Sequence, residues 1–175
     1  LVLEGLFGPV YKATTTSELI EKGQLADFRI KCLILKHDES IRQQARGWDY
    51  NSEIDYIVKS EARNNFIRNL ALSLKGNTLI LYQYVEKHGK SLYDNIQREA
   101  GKRKTFFVFG GTDTEIRESV RSILENEEDA IVVASYGTFS TGINIRNLHN
   151  IVCASPSKSR IRNLQSIGRG LRKSE

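Results

Sequence analysis

The chain of 175 residues has little sulfur and no local metal-ligand pattern. Its two cysteines, Cys32 and Cys153, lie far apart, and its three histidines, His37, His88 and His149, are scattered without partners at ligand spacing. This excludes a disulfide framework and a zinc motif, and it suits a reducing cytoplasm. Both cysteines fall in apolar, strand-like runs, which predicts core thiols. No apolar run approaches the roughly 20 residues needed to span a bilayer, and no signal peptide is visible. The chain also lacks G-x-x-x-x-G-K-[ST], the loop that wraps nucleotide phosphates, and no apolar strand ends in an Asp-Glu pair. Gly89-Lys90-Ser91 comes nearest, between a strand and a helix, but that loop needs glycine at position 84, where Tyr84 stands. The usual means of holding Mg-ATP alone is therefore missing. No methionine precedes Leu1-Val2-Leu3, which reads as a fragment whose N-terminal half is absent.

What is present describes a globular chain. A hydrophobic content of 39% is enough to bury a core, and the length fits one domain, or one domain plus an attached segment. The net charge of +5 is mild, but its distribution is one-sided. Between Arg146 and Lys173 there are seven basic residues and no Asp or Glu, whereas acids gather between Glu125 and Asp129. Such a segment is an electrostatic footprint for phosphates, of a nucleotide or of nucleic acid, with a solvated basic face as the alternative.

Residues 1–24 read as an irregular connecting segment, with one short helix starting in Thr14-Thr15-Thr16-Ser17 and stopping at Gly23. From residue 25 onward the pattern is regular. Strands are expected over Phe28–Lys36, Thr78–Tyr84, Phe106–Phe109, Ala130–Ala134 and His149–Ala154. Helices are expected over Tyr50–Lys75, with Ile54, Ile57, Val58, Phe66, Leu70 and Leu74 inward, over Ser91–Ala100, and from about Ser157. A further helix follows a Thr112-x-x-Glu115 capping box, with Ile116, Val120, Ile123 and Leu124 on one face. Leu79-Ile80-Leu81 and Ile131-Val132-Val133 are continuous apolar runs, the mark of strands buried on both faces. The fold class this implies is α/β, a three-layer parallel sheet covered by helices.

Two segments carry the chemistry. Ala134 through Ile145 follows a buried strand, where open α/β sheets place ligands. The hydroxyls of Thr138, Ser140 and Thr141, with Gly137 and Gly142, suit phosphate oxygens of a nucleic-acid backbone. A plain Ser/Thr/Gly turn is the alternative. Near the end, Gln165, Arg169 and Arg172 fall within roughly 60° on a helical wheel, while Leu164, Ile167 and Leu171 form a separate apolar stripe. One face can pack on a core while the other presents two permanently charged guanidiniums to phosphate. A basic surface helix is the alternative.

The order of these pieces resembles the second motor domain of superfamily 2 helicases, over roughly residues 28–173. Thr78–Tyr82 through His88 and Leu92 resembles motif IV. Gly110-Gly111-Thr112 with Arg117 resembles motif IVa, residues 131–145 motif V, and Gln165 to Arg172 motif VI (Q-x-x-G-R-x-x-R). Within the superfamily, the stretches around Gly137–Ile143, Asn147-Leu148-His149 and Ile167–Lys173 look most like the phage recombination and repair helicases. The resemblance implies a RecA-like domain without its own Walker A loop, the C-terminal half of an ATP-dependent DNA helicase or translocase acting on branched or recombining DNA. It implies ATP with Mg, held mainly by an N-terminal motor domain joined through residues 1–24, and DNA as partner, with RNA as a variant. Arg172 would be the arginine finger on the γ-phosphate, Arg169 would contact the same phosphates or link to the first domain, and Gln165 would help position the attacking water or its neighbours. Gly142 and Asn144 would lie on the nucleotide side, Asn144 standing where many relatives carry Asp for the ribose. Thr112, Ser135, Thr138, Ser140, Thr141 and Arg117 would form the nucleic-acid track. For Arg117 an ion pair with Asp113, four positions before it, is the alternative. A restriction-type translocase half, or a nucleic-acid-binding module without hydrolysis, would carry the same motifs.

Overall fold

The computed structural model describes residues 5, 8–9, 11, 14–25, 29–141 and 147–156, with positions 16, 117 and 139–141 in backbone alone. Helix α1, Thr16–Glu21, forms where the Thr run predicts it. Thr15 caps it, its hydroxyl accepting from Glu18 N while the Glu18 carboxylate accepts from Thr15 N, and the chain turns away at Gly23 with φ +68°.

The strand expected over Phe28–Lys36 is not formed in residues 29–36. Ile30 and Ile34 stand 67% and 84% exposed, and Cys32 is exposed rather than a core thiol. Alternation gives a segment a preference for extended backbone, but a strand also needs a hydrogen-bonded neighbour, and no described strand pairs with this one. Helix α2, Glu39–Ala45, was not foreseen. Beyond it, the His37 ring meets Tyr56 edge-on and the Trp48 ring packs tilted against it, which fastens this stretch to the following helix.

The single helix expected over Tyr50–Lys75 is two, α3 (Tyr50–Lys59) and α4 (Glu61–Ser73). Ser60 breaks it: its backbone is extended, and its hydroxyl accepts from Arg63 N, capping α4. The break rotates the inward face. Ile54 and Val58 are buried as expected, but in α4 the buried positions are Asn64, Ile67 and Ala71, and Phe66 faces outward.

The rest builds a four-stranded, wholly parallel sheet. Its strands are β1 (Thr78–Tyr82), β2 (Thr105–Val108), β3 (Ile131–Ser135) and β4 (Asn150–Cys153), in the order β2-β3-β1-β4. A π-helical turn (Val85–Gly89) and helix α5 (Lys90–Glu99) lead from β1 to β2, α6 (Thr114–Asn126) from β2 to β3, and α7 (Tyr136–Thr141) follows β3. All five positions of both central strands are buried. Leu79, Leu81, Val132 and Ala134 pack against Val120 and Leu124 of α6. Ile80, Tyr82, Ile131 and Val133 pack against α4 and α5 through Ile67, Ala71, Leu92 and Ile96. Helices thus cover both faces, the three layers read from the continuous apolar runs. Each fully buried Leu or Ile contributes roughly 1.5–3 kcal/mol, so these two strands dominate the core. Cys153, on edge strand β4, is exposed, which corrects the second core-thiol expectation. The Thr112 capping box is also absent: Asp113 precedes α6, and the Thr112 hydroxyl accepts instead from Phe109 N. Ile116 and Ile123 of α6 face outward.

The sheet's N-terminal edge is locked by two side chains. Asn77 is buried, and its amide nitrogen lies 3.1, 2.7 and 2.8 Å from the carbonyls of Leu124, Glu127 and Asn147. Its two hydrogens are shared among three acceptors, while its own oxygen accepts from Ala130 N at 2.9 Å. Arg103 donates to the Ala71 and Leu72 carbonyls, the otherwise orphaned acceptors at the end of α4, and to Gly76 O, and pairs with Asp129 at 2.9 Å. Asn77→Asp keeps the shape but removes the donors and turns a carboxylate toward carbonyl oxygens. We expect it to cost about 3 kcal/mol or more in urea unfolding. A loss below about 1 kcal/mol, the size of an ordinary hydrogen bond, would show that the hub is dispensable.

Candidate functional site

Because all four strands run parallel, their C-terminal ends meet at one edge. The motif-bearing segments gather there: 83–92 after β1, 109–112 after β2, 135–141 at the end of β3, and 154–156 after β4. Such an edge is where open α/β sheets place ligands. A groove of about 690 Å³ lies instead beside the start of β2 and the end of α6, lined by residues including Arg103, Lys104 and Glu127, far from these segments.

Ser135 and Thr138 are brought together. Their hydroxyls lie 2.7 Å apart, Thr138 N donates to Ser135 Oγ at 3.3 Å, and both residues are buried. They are engaged with each other and start the first turn of α7. A direct contact from either hydroxyl to a nucleic-acid strand would require this turn to open. Gly137 is exposed, with open space where a side chain would stand, so a ligand can approach its backbone closely. Thr112 closes the Gly110-Gly111 turn: Phe109 N donates to its hydroxyl at 3.0 Å and Thr112 N donates to Phe109 O at 2.9 Å. Ser140 and Thr141 lie on α7 and Arg117 on α6, their side chains outside the description. Gly142, Asn144, Gln165, Arg169 and Arg172, and the helix expected from Ser157, lie outside the described residues.

The Gly89-Lys90-Ser91 stretch has a packing role. A Cβ on Gly89 would come within 2.5 Å of the Tyr82 ring, so glycine is needed for the π-helical turn to close on β1. Lys90 pairs with Glu86 at 2.8 Å, and Lys87 with Asp55 at 2.8 Å.

Sequence reasoning missed the polar chain centred on His88, because its members are far apart in sequence. His88 is fully buried. Its Nε2 lies 3.1 Å from Asn64 Oδ1, and its Nδ1 lies 3.0 Å from Ser155 Oγ. The polarity follows link by link. Asn64 Nδ2 donates to Val58 O at 2.9 Å, so Asn64 Oδ1 is the acceptor and His88 Nε2 carries the proton. Gln83 N donates to Ser155 Oγ at 3.0 Å, and with the buried ring uncharged and its proton on Nε2 the Ser155 hydroxyl donates to His88 Nδ1. The ring is thus a neutral Nε2–H tautomer. Burial, with Arg63 nearby, lowers its pKa to about 4. Arg63 donates from Nη2 to Ala154 O at 2.5 Å, and burial lowers its pKa as well. The only hint in the sequence was a histidine following an apolar strand.

A family model described as "Helicase conserved C-terminal domain" matches residues 61–174. The ATP-dependent DNA helicase uvsW of Enterobacteria phage T4 is 40% identical over 172 residues, covering 97% of this chain and 34% of that protein. The chain therefore spans about a third of that relative's length. The parallel sheet between helix layers is the RecA-like α/β fold such a domain carries.

The lowered pKa of His88 has a stability consequence. The unfolded chain binds the proton at its ordinary pKa of 6.5, the folded chain only near 4. Stability is full above pH 6.5 and falls as the pH drops toward 4, by about 3 kcal/mol from this group. In His88→Gln the difference in unfolding free energy from wild type should shrink across that window. A constant difference between pH 7 and pH 4.5 would show that the ring does not titrate this way.

Proposed function

The chain belongs to the family of helicase conserved C-terminal domains, and from that premise we propose that it is the C-terminal motor half of an ATP-dependent DNA helicase that remodels branched or recombining DNA. The observation that carries the reading is the convergence of the segments around His88, Thr112, Ser135 and Ser155 at one sheet edge. The likeness to a protein named as an ATP-dependent DNA helicase supports the choice of nucleotide and nucleic acid.

In this reading ATP is the substrate, bound in the cleft between this domain and a preceding motor domain joined through residues 1–24. Mg accompanies the ATP and, as the likeness to an ATP-dependent helicase implies, is assigned mainly to the preceding half. Arg172 and Arg169 reach the phosphates, and Gln165 orients the attacking water. Gly142 and Asn144 lie on the nucleotide side. The α7 segment, with Gly137, Ser140 and Thr141, follows the DNA backbone, and Thr112 and Arg117 flank it. Ser135 and Thr138 act on that track by shaping the first turn of α7. Alternate closing and opening of the cleft moves the strand.

In the full-length protein Arg172→Ala should reduce ATP hydrolysis by about 10³–10⁵-fold, the worth of an arginine finger, while single-stranded DNA affinity is largely kept. Unchanged turnover would overturn the assignment. The chain alone, without a Walker A loop, should show negligible ATPase, and steady-state hydrolysis stimulated by DNA would contradict the division between halves.

A further inference from the structure

The segment leaving β4 is fastened by side chains from several separate elements. Arg63 of α4 donates to the Ala154 carbonyl at 2.5 Å. Gln83 N and the His88 ring, just beyond β1, hold the Ser155 hydroxyl. The Tyr136 hydroxyl, at the first residue of α7, donates to the Ser155 carbonyl at 3.3 Å. Ala154, Ser155, Tyr136 and His88 are all buried. Three of these holds come from β1 and the helices on one side of the sheet. The Tyr136 hold is different, because it comes from α7 itself.

We infer that Tyr136 is a positioning residue that couples α7 to the stretch following β4. The inference rests on the motor reading, in which α7 follows the nucleic-acid backbone and the later stretch carries Gln165, Arg169 and Arg172. The Tyr136 ring is packed in the core with Leu81 and Ala134, and its hydroxyl projects from that anchor onto Ser155. A shift of α7 on meeting a strand therefore pulls on the residue through which the chain passes toward the arginines. Among the described residues Arg63 Nη1, at the same joint, is buried without a hydrogen-bond partner.

The test uses the full-length protein with Tyr136→Phe, which keeps the packed ring and removes only the hydroxyl. ATP hydrolysis is measured with and without single-stranded DNA, alongside DNA affinity and melting temperature. The expected result is a loss of about fivefold to tenfold in DNA-stimulated turnover, the scale of one hydrogen bond, with unstimulated turnover, DNA affinity and melting temperature close to wild type. Combining it with Ser155→Ala, which releases the same residue from His88, should give a loss of stimulation smaller than the product of the two single losses. Full stimulation in Tyr136→Phe overturns the coupling while leaving the motor reading intact. A parallel fall in stimulated turnover, unstimulated turnover and melting temperature also overturns it, since that is the signature of a structural role. Absence of DNA-stimulated hydrolysis in the wild-type protein overturns the motor reading, and the coupling with it.

Discussion

A carboxamide has two N–H groups and one carbonyl, and Asn77 uses all of them in the buried interior at the start of the sheet. Its amide holds the end of α6 through Leu124 and Glu127, and its oxygen holds Ala130, where β3 is about to begin. Its backbone carbonyl accepts from His149 N and Asn150 N, where β4 begins. Three strands are thereby given a common starting line. Parallel strands advance together at about 3.3 Å per residue, so a shared start fixes a shared finish. Tyr82 comes level with Ser135, and Leu81 with Cys153, at the far edge. The placement of the candidate site is thus set about 17 Å away, five residues along the strands, by one buried amide.

The two edges differ in how their polar groups are used. At the starting edge Asn77 and Arg103 satisfy the carbonyls that end α6 and α4, and Asp129 completes the arrangement by accepting from Gly76 N. At the finishing edge the holds are hydroxyls, a neutral imidazole and a guanidinium with one buried nitrogen unpaired among the described residues. Under the proposed motor reading, a fold that keeps its sheet while a segment moves is expected to separate these tasks, with the densest buried bonding at the edge that stays fixed.

Much of this was legible in the sequence because it is local or periodic. The continuous apolar runs of β1 and β3 announced strands covered on both faces, and the Thr run with Gly23 announced α1. Each miss has a physical reason. Residues 29–36 alternate like a strand, but alternation cannot supply a partner. Ser60 breaks a helix that periodicity alone would continue, since its hydroxyl caps the next helix better than its backbone extends the last. That break moves the inward face onto Ile67 and Ala71 and leaves Phe66 outside. Thr112 has the spacing of a capping box, but closing the Gly110-Gly111 turn claims its hydroxyl first. The His88 chain links residues 24 and 67 positions apart, a juxtaposition that only the folded sheet creates.

The glycine-lysine-serine stretch after β1 shows why motif spelling and site chemistry must be separated. A phosphate-binding loop works because consecutive backbone N–H groups point outward and are unspent. Here His88 N and Gly89 N both donate to the Tyr84 carbonyl, and Lys90 N donates to Val85 O. The donors that would cradle a phosphate are consumed in the π-helical turn, and that turn is in place because it seats His88 against Asn64 and Ser155. Gly89 is required by the Tyr82 ring beneath it, and the Lys90 ammonium is neutralised by Glu86. The glycine and the turn that make the stretch look like a nucleotide site are therefore used in packing against β1 and in seating His88, while the Lys90 pair stays on the surface. Phosphate recognition in the proposed reaction falls to the guanidiniums that follow Ser155 and to the domain on the other side of the cleft.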